Sequence, residues 1–336
     1  MILVTGGTGL VGSHLLYELA TKKAKVRAIY RSDTYKTTVK KVFSYYTDAP
    51  EALLETIEWV EADITNLPSL ELAFKGITQV YHCAALVSFD PKKYRSMRQV
   101  NIDGTANIVN CCITEKINKL CFVSSIATLG NMPDKTIYSE ENEWNKEDNN
   151  SGYAITKHGA EMEVWRGSQE GVEMVIVNPG VILGPGFWDD NTGAFFKKTA
   201  NGFQFYTEGT TGFVGVFDVV KAMTQLMEST LVNERFVLVS ENKSYREIAN
   251  SIAKYLKVNP PSKKVSKTLT SIFWRLNYLW SKLTGASQLL TRHTAASLHS
   301  KTAYSSEKII ESQDFEFTDL EKDIERICGY YQKDFS

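Results

Sequence analysis

A tyrosine and a lysine four residues apart, Tyr153 and Lys157, have the spacing in this chain that is most suggestive of chemistry. Residues at i and i+4 share one face of a helix, so we expect the lysine ammonium beside the tyrosine phenol. A phenol has a pKa of about 10, which a neighbouring cation lowers. Tyr153 is therefore predicted to transfer protons near neutral pH. Ser125, at the end of a predicted strand, is expected to hydrogen-bond a substrate carbonyl or alcohol.

A glycine-rich run close to the start of the sequence has the pattern of a dinucleotide-binding turn between a strand and a helix. Gly6 can turn the chain sharply, Gly9 lets the backbone approach a phosphate, and Gly12 allows close helix packing. The helix that follows offers its N–H groups to the diphosphate. The predicted cofactor contacts in this run are Thr5, Gly6, Gly7, Thr8, Gly9, Leu10, Val11 and Gly12.

The end of the second predicted strand bears on which dinucleotide binds. A carboxylate there hydrogen-bonds the ribose hydroxyls of NAD, whereas an arginine favours the 2′-phosphate of NADP. Tyr30 stands where the carboxylate is expected, and Arg31 and Lys36 follow it. Charge complementarity therefore favours NADP(H). Asp33 leaves NAD(H) possible, and Arg31 and Lys36 could instead form a solvated basic loop.

The elements that must position these residues alternate between short apolar runs and helical periodicity. Such alternation predicts an α/β fold with a doubly wound, parallel Rossmann sheet. Residues 1–178 and about 214–240 are expected to form the dinucleotide-binding domain. A smaller, mostly C-terminal substrate-binding lobe is expected from about 179–213 and 241–336. The predicted strands are Ile2–Thr5, Val26–Tyr30, Ile57–Val60, Gln79–Ala85, Leu120–Ser124, Met174–Asn178 and Arg235–Ser240, and the main helices include Tyr94–Ile117, Tyr153–Glu170 and Tyr245–Leu256.

The order of these motifs resembles that of the extended short-chain dehydrogenases/reductases, in the NAD-dependent epimerase/dehydratase group. The resemblance covers nearly the whole chain and rests on Thr5–Gly12, on Val123–Thr128 and on the Tyr153/Lys157 pair. Within the group, the chain is most similar to dihydroflavonol-reductase-like and 3β-hydroxysteroid-dehydrogenase-like members. Their second strand often ends in arginine without the acid.

The resemblance implies roles for further residues. Lys157 would also hold the nicotinamide ribose, and Asn101 would be a structural asparagine that supports Lys157 through a water. Asp63 and Ile64 would contact the adenine. The remaining cofactor contacts implied are Ala84, Ala85, Ser124, Pro179, Gly180, Val181 and Ile182.

Composition limits the possible partners. The net charge of -1 gives no support to a nucleic-acid partner. None of the five cysteines has a metal-ligand spacing, so we predict no metal site and buried free thiols. Only Met1 precedes the first strand and no run is long enough to span a bilayer, so a cytoplasmic location is expected.

Two features leave alternatives open. The segment 269–283 is rich in tryptophan, tyrosine and leucine, and we favour a helix that covers an apolar pocket. Contact with a membrane surface is the alternative, since aromatic residues suit that interface. A homodimer through the helices at Tyr94–Ile117 and Tyr153–Glu170 is a family-level expectation.

The favoured function is an NADP(H)-dependent oxidoreductase that transfers a hydride between nicotinamide and a carbonyl or alcohol of a small, apolar substrate. An NAD-bound nucleotide-sugar epimerase or dehydratase is the first alternative, although the lobe has few arginines for a diphosphate: Arg235, Arg246, Arg275 and Arg292. The second alternative is a dinucleotide-sensing protein without catalysis, which would not need Tyr153 and Lys157 together.

Overall fold

A seven-stranded parallel sheet lies at the centre of the fold. The computed structural model describes residues 1–32, 35–130, 136–190, 192–288 and 290–336. The strands of this sheet are β1 (Ile2–Thr5), β2 (Val26–Tyr30), β3 (Ile57–Glu61), β4 (Gln79–His82), β5 (Lys119–Val123), β7 (Met174–Pro179) and β11 (Glu234–Leu238). Their order, β11-β7-β5-β4-β1-β2-β3, confirms the predicted doubly wound architecture.

The strand order reverses between β1 and β4, and this determines where a ligand can bind. The chain winds outwards from β1 through β2 to β3, and then continues on the other side of β1 with β4. In open α/β sheets, ligands bind at the carboxyl ends of the strands beside this switch point. The glycine-rich run follows β1 at that edge.

Smaller sheets lie outside the central one. Their strands are β6 (Ile137–Tyr138), β8 (Val181–Leu183), β9 (Phe205–Tyr206), β10 (Thr210–Gly215), β12 (Glu241–Ser244), β13 (Lys263–Lys264) and β14 (Ala303–Tyr304). The largest of these sheets has the order β12-β10-β8.

Helices cover both faces of the central sheet and build much of the C-terminal part. They are α1 (Leu10–Thr21), α2 (Tyr35–Phe43), α3 (Pro50–Leu54), α4 (Leu67–Phe74), α5 (Tyr94–Arg98), α6 (Gly104–Thr114), α7 (Gly152–Gln169), α8 (Gly193–Ala200), α9 (Val216–Glu228), α10 (Tyr245–Leu256), α11 (Lys267–Thr284), α12 (Arg292–Ser297), α13 (Glu307–Gln313) and α14 (Leu320–Phe335). No helix among the described residues is long and apolar enough to cross a membrane.

Two apolar clusters hold the helices on opposite faces of the sheet. Leu16 of α1 and Met223 of α9 belong to one cluster. Phe74 of α4, Ile108 of α6 and Val164 of α7 belong to the other. Each such fully buried side chain stabilises the fold by roughly 1.5–3 kcal/mol relative to exposure. Strands with apolar residues on both faces are thus covered on both sides, as their continuous apolar runs predict.

The C-terminal part has an apolar cluster of its own, which includes Phe196, Ile252 and Ile327. The segment 214–240 contributes α9 and β11 to the central sheet and its helical layer. The division into a domain of residues 1–178 with 214–240 and a lobe of residues 179–213 with 241–336 stays a prediction.

The predicted helix over Tyr94–Ile117 is found as a continuous helical segment from Tyr94 to Thr114 that contains an irregular turn. A π-helical turn at Gln99–Asp103 separates α5 from α6, and α6 ends at Thr114. The predicted strand Gln79–Ala85 likewise ends at His82. Both differences lie beside the site, where the loop after β4 is held by a side chain of the π turn, Asn101.

Helix α11 contradicts the favoured interpretation of residues 269–283 as a helix that buries its aromatic side chains over a pocket. Phe273, Leu276, Tyr278 and Trp280 are exposed. The residues of α11 that are buried are Thr270 and Ser281, both polar. The apolar face of this helix therefore points away from the protein.

Candidate active site

The glycine-rich turn after β1 forms a tightly packed cradle. Gly6 has a φ of +67°, which a residue with a side chain rarely adopts. A Cβ on Gly6 would lie 2.5 Å from the backbone nitrogen of Ala84, and one on Gly12 would lie 2.2 Å from the Gly6 carbonyl oxygen. These two glycines let the start of α1 pack against the ends of β1 and β4.

Gly9 differs from the other two because the space beside it is open. Among the described residues, a Cβ there would meet only the Gly6 oxygen, at 3.5 Å. Gly9 is the N-cap of α1, no side chain caps the helix, and its first turn has no acidic residue. An exposed helix N-terminus of this kind attracts a diphosphate, so the cradle fits a dinucleotide.

A buried hydrogen-bond chain joins β1 to β4 beneath the cradle. The Thr5 hydroxyl lies 2.6 Å from His82 Nδ1, and His82 Nε2 lies 2.9 Å from the Thr105 hydroxyl. Burial lowers the pKa of His82 to about 3, so the ring is neutral. Ala84 donates its backbone N–H to Thr5 Oγ1 at 3.3 Å, and Ala85 follows, exposed, at the same edge.

Arg31 and Asp63 lie together at the ends of β2 and β3. Arg31 Nη1 is 4.0 Å from Asp63 Oδ2, and the Arg31 side chain is 70% exposed. The other carboxylate oxygen, Asp63 Oδ1, accepts from the Thr65 backbone N–H and hydroxyl at 2.8 and 2.7 Å. Ile64 is buried. Lys36 lies in the first turn of α2, and Asp33 lies outside the described residues.

Ser125 and Tyr153 meet at the carboxyl end of β5. Ser125 caps a 3₁₀ turn, where its hydroxyl accepts from the Ala127 N–H at 3.1 Å. Ser151 caps α7 in the same way, through the Ala154 N–H at 3.1 Å, which places Tyr153 in the first turn. The Ser125 hydroxyl lies near enough to the Tyr153 phenol to act on its pKa.

The protonation of Tyr153 differs from the prediction. Burial raises the pKa of Tyr153 above its ordinary value, and the Ser125 hydroxyl opposes this rise. The predicted lowering by Lys157 is wrong for the protein's own groups, because the Lys157 ammonium is directed elsewhere. It donates to the Val123 carbonyl at 2.8 Å and lies 4.3 Å from the centre of the Phe122 ring. Tyr153 is therefore a protonated phenol at neutral pH.

Lys157 is buried next to a carboxylate that the sequence analysis missed, Glu161. Burial lowers the pKa of Lys157 to about 8, and the charge of Glu161 opposes this effect. Glu161 is fully buried, and its Oε1 pairs with Arg235 Nη1 at 3.1 Å. The spacing of Glu161 could have indicated its place in the site, because Tyr153, Lys157 and Glu161 recur every four residues along α7 and so share one face.

Glu161 organises the strand ends around Ser125. Its Oε2 accepts from the hydroxyls of Ser124 and Thr128 at 2.5 and 2.9 Å, and from Asn178 Nδ2 at 3.0 Å. The hydroxyl of Ser124, a predicted cofactor contact, thus points inward, which leaves its backbone for that role. The Glu161 network fixes the ends of β5 and β7 relative to α7.

Asn101 braces the loop after β4, and its support of Lys157 through a water stays a prediction. Its side chain accepts from the Leu86 N–H at 2.7 Å and donates to the Leu86 carbonyl at 3.0 Å. It also donates to the Thr156 hydroxyl at 3.0 Å. Thr156 precedes Lys157 on α7, so Asn101 is a positioning residue.

The predicted nicotinamide-binding segment follows from the end of β7. Pro179 ends β7, and Gly180 donates its N–H to Leu238 at 3.0 Å. A Cβ on Gly180 would lie 2.5 Å from the Gly212 carbonyl oxygen. Val181 and Ile182 begin β8 and are partly exposed. The sheet thus brings this segment to the same edge as the glycine turn.

An apolar side chain lies against Tyr153 on the open side. The Phe89 ring is 5.8 Å from the Tyr153 ring in an edge-to-face arrangement, and Phe89 is 50% exposed. Phe89 could not be predicted from the sequence because a single aromatic residue in a loop has no periodicity.

Most of the lobe arginines contact the protein itself. Arg235 pairs with Glu161, Arg246 stacks 4.5 Å from the Tyr206 ring, and Arg275 donates to the Ser271 carbonyl at 2.8 Å. Arg292 is exposed at the start of α12.

Comparison with known proteins agrees with this geometry. The family model described as the NAD dependent epimerase/dehydratase family matches residues 2–238. The chain is 28% identical to tetraketide alpha-pyrone reductase 2 of Arabidopsis thaliana, over 73% of this chain and 79% of that protein. It is 26% identical to a UDP-glucose 4-epimerase of Vibrio cholerae, over 88% of this chain and 89% of that protein.

A solved structure has the same fold. It is that of UDP-glucose 4-epimerase with UDP-glucose from Thermotoga maritima, with a TM-score of 0.78 at 18% identity, covering 100% of this chain and 99% of that one. Reductases and epimerases both occur among the similar proteins, so the reaction has to be inferred from the site.

Proposed function

Because the chain belongs to the NAD-dependent epimerase/dehydratase family, we propose that it is an NADP(H)-dependent oxidoreductase acting on a carbonyl or alcohol of a small, apolar substrate. Family membership itself supports reductase or epimerase chemistry with a nicotinamide dinucleotide. The dinucleotide, when bound, supplies or accepts the hydride.

The observation that carries the proposal is the pairing of Ser125 and Tyr153 at the carboxyl end of β5. A phenol with a raised pKa holds its proton at neutral pH and can donate it to a carbonyl oxygen. Ser125 orients that oxygen through its hydroxyl. Lys157, mostly cationic below about pH 8, lies at the end of β5 and would hold the nicotinamide ribose.

The preference for NADP(H) follows from charge at the adenosine end. The exposed Arg31 guanidinium can pair with a 2′-phosphate. Lys36 adds a second cation. Asp63, Ile64, Ala84 and Ala85 would line the dinucleotide, and the residues from Pro179 to Ile182 would hold its nicotinamide.

The apolar substrate follows from the side chains around Tyr153. Phe89 presents a half-exposed ring there. Arg246 and Arg275 of the lobe are engaged by the protein, and Arg235 lies on β11 and pairs with Glu161, which disfavours a diphosphate-bearing substrate.

A nucleotide-sugar epimerase with bound NAD is the second candidate. The match to the Vibrio cholerae UDP-glucose 4-epimerase across 88% of the chain favours it, and Arg292 is available to an anionic substrate. A non-catalytic dinucleotide sensor is the third, and no contact in the site favours it.

One assay separates these candidates. The purified protein is analysed for retained dinucleotide and then assayed for NADPH and NADH consumption against a panel of apolar carbonyl compounds. We expect no retained NAD and net consumption of NADPH. Tightly retained NAD with no net consumption would favour the epimerase, and NADPH binding without turnover across the panel would favour the sensor.

We also propose a homodimer formed through the surface of α5, α6 and α7. Ile155 and Met162 on α7 are exposed large apolar residues, as expected of an unpaired helical interface. Light scattering with M162E tests this, and a monomeric parent protein would contradict it.

A further inference from the structure

Helix α11 presents its apolar side outward, the reverse of an ordinary surface helix. Trp280 is 63% exposed and Leu283 is 84% exposed. The exposed large apolar residues of α11 are Leu269, Ile272, Phe273, Leu276, Tyr278, Leu279, Trp280 and Leu283. A contiguous apolar patch of this kind marks an interaction surface.

Polar residues attach the other side of α11 to the protein. The Thr270 hydroxyl lies 2.7 Å from His299 Nε2, and Asn277 Oδ1 accepts from the Leu290 N–H at 3.1 Å. The Lys92 ammonium donates to the Ser281 carbonyl at 3.4 Å. These bonds fix the orientation of the helix, so the outward apolar face is built into the fold.

The stretch of chain that contains α11 is strongly basic. Residues 248–306 contain nine Lys and Arg and no Asp or Glu, although the whole chain has a net charge of -1. Two of these cations are neutralised, Lys254 by Glu321 and Lys264 by Glu208. Among the described residues, no carboxylate pairs with Lys267, Arg275 or Lys282 of α11. An apolar helical face bordered by cations and rich in aromatic residues matches an anionic bilayer surface.

We propose that α11 lies flat on an anionic phospholipid bilayer and holds the loop that carries Phe89 and Lys92 near it. A second copy of this chain fits this face less well, because a two-fold interface would place the cations beside one α11 helix against those beside the other. The helix is about 27 Å long, and its exposed apolar side chains alone would enter the bilayer surface.

One lysine connects the docking helix to the active site. Lys92 Nζ donates to the carbonyl oxygens of Gly285 and Ala286, both at 2.9 Å, at the C-terminal end of α11. Phe89, three residues earlier in the same loop, contacts the Tyr153 ring. An apolar substrate dissolved in the bilayer would therefore reach Tyr153 beside α11. This delivery step rests on the proposed oxidoreductase function, whereas docking does not.

Vesicle sedimentation tests docking without any turnover. The full chain is mixed with phosphatidylcholine vesicles or with vesicles that also contain phosphatidylserine. We expect sedimentation with the anionic vesicles, weakened by salt and by removal of the anionic lipid. The double variant L279E/L283E should lower the partition coefficient by about a hundredfold or more, since two buried leucines are lost from the interface.

The matched control is L72E, which places the same change on a leucine of α4 that is 61% exposed. It should sediment like the parent. NADPH binding, which should be unchanged in both variants, verifies that they fold. Docking is overturned if the parent stays in solution with both kinds of vesicle. It is also overturned if L279E/L283E converts a dimeric parent to a monomer, because α11 would then be a surface between copies.

Delivery is tested separately with one long-chain and one short, water-soluble carbonyl substrate. With anionic vesicles present, L279E/L283E should slow turnover of the long-chain substrate and leave that of the soluble one unchanged. Equal effects on both would contradict delivery. Failure of both substrates in the parent, with vesicle binding intact, would instead contradict the proposed function.

Discussion

At the scale of single residues, Glu161 is a buried carboxylate that compensates two cations of the site. A buried ion pair is strongly destabilised when one partner is removed, because the other charge is left uncompensated. Glu161 compensates Arg235 by direct contact and Lys157 through space. The carboxylate thus supports both the strand ends and the cationic state of the lysine.

The Glu161 network leads to a prediction about the free energy of unfolding. E161Q should lower the free energy of unfolding by about 3–5 kcal/mol, because Arg235 loses its buried partner. The matched control is E163Q, two residues along α7, which removes a partly exposed pair with Arg166 and should cost less than about 1 kcal/mol. Urea denaturation measures both, and equal losses would contradict the role assigned to Glu161.

The same variant makes a prediction about pH. Lys157 loses its proton as the pH rises through about 8, so activity that needs its charge should fall there. Glu161 raises the pKa of Lys157, and E161Q should therefore move this basic limb of the kcat/KM profile to lower pH. A limb that stays in place or moves to higher pH would show that Lys157 does not set it.

Arg31 makes a prediction about cofactor choice. R31E should weaken NADPH binding by about ten- to a hundredfold, because a charge-assisted bond contributes roughly 1.5–3 kcal/mol. NADH binding should change little, since NADH lacks the 2′-phosphate. K322E places the same charge reversal on the exposed surface of α14 and should change neither affinity. Equal losses for both dinucleotides in R31E would contradict the assignment.

The glycine turn acts at the scale of elements, because it sets how closely α1 approaches the sheet. G12A should abolish dinucleotide binding, since the added Cβ would lie 2.2 Å from a backbone oxygen. In G329A, on α14, the Cβ meets none of the described residues within 4 Å, and stability should rise by up to about 1 kcal/mol. Calorimetric titration with NADPH measures the first effect and thermal unfolding the second. Retained affinity in G12A would contradict the tight cradle.

Sequence patterns predicted regular elements well and their orientation poorly. The helix at Tyr245–Leu256 is found with the predicted bounds, because its periodicity is strong and Ser244 and Glu247 form a capping box. The apolar pattern of α11 was equally clear, but its apolar face was predicted to meet the protein and is exposed instead. Periodicity shows that a helix has an apolar face, and it does not show whether that face meets protein.

Tertiary contacts explain the remaining differences. The π turn at Gln99–Asp103 forms where Asn101 binds the loop after β4, a partner 15 residues earlier. The raised pKa of Tyr153 depends on burial, which the four-residue spacing to Lys157 does not report. The glycine turn was predictable because its conformation depends on residues that are adjacent in the sequence.

At the scale of the whole molecule, the site exists because parallel strands end at one edge. Gly9, Arg31, Ser125 and Gly180 each follow a different strand of the central sheet. Tyr153 comes from the start of α7 and completes the group. The central claim is that these parts form one reductase site in which Tyr153 transfers the proton.

Turnover by Y153F tests that claim most directly, with NADPH and an active carbonyl substrate. We expect kcat to fall by about 10²–10⁴-fold, because the proton donor is lost, while NADPH affinity stays within about twofold, since the cradle is unchanged. Y255F, which removes a hydroxyl from a tyrosine of α10, should keep full activity. Undiminished turnover by Y153F, with NADPH bound as in the parent, would contradict the claim.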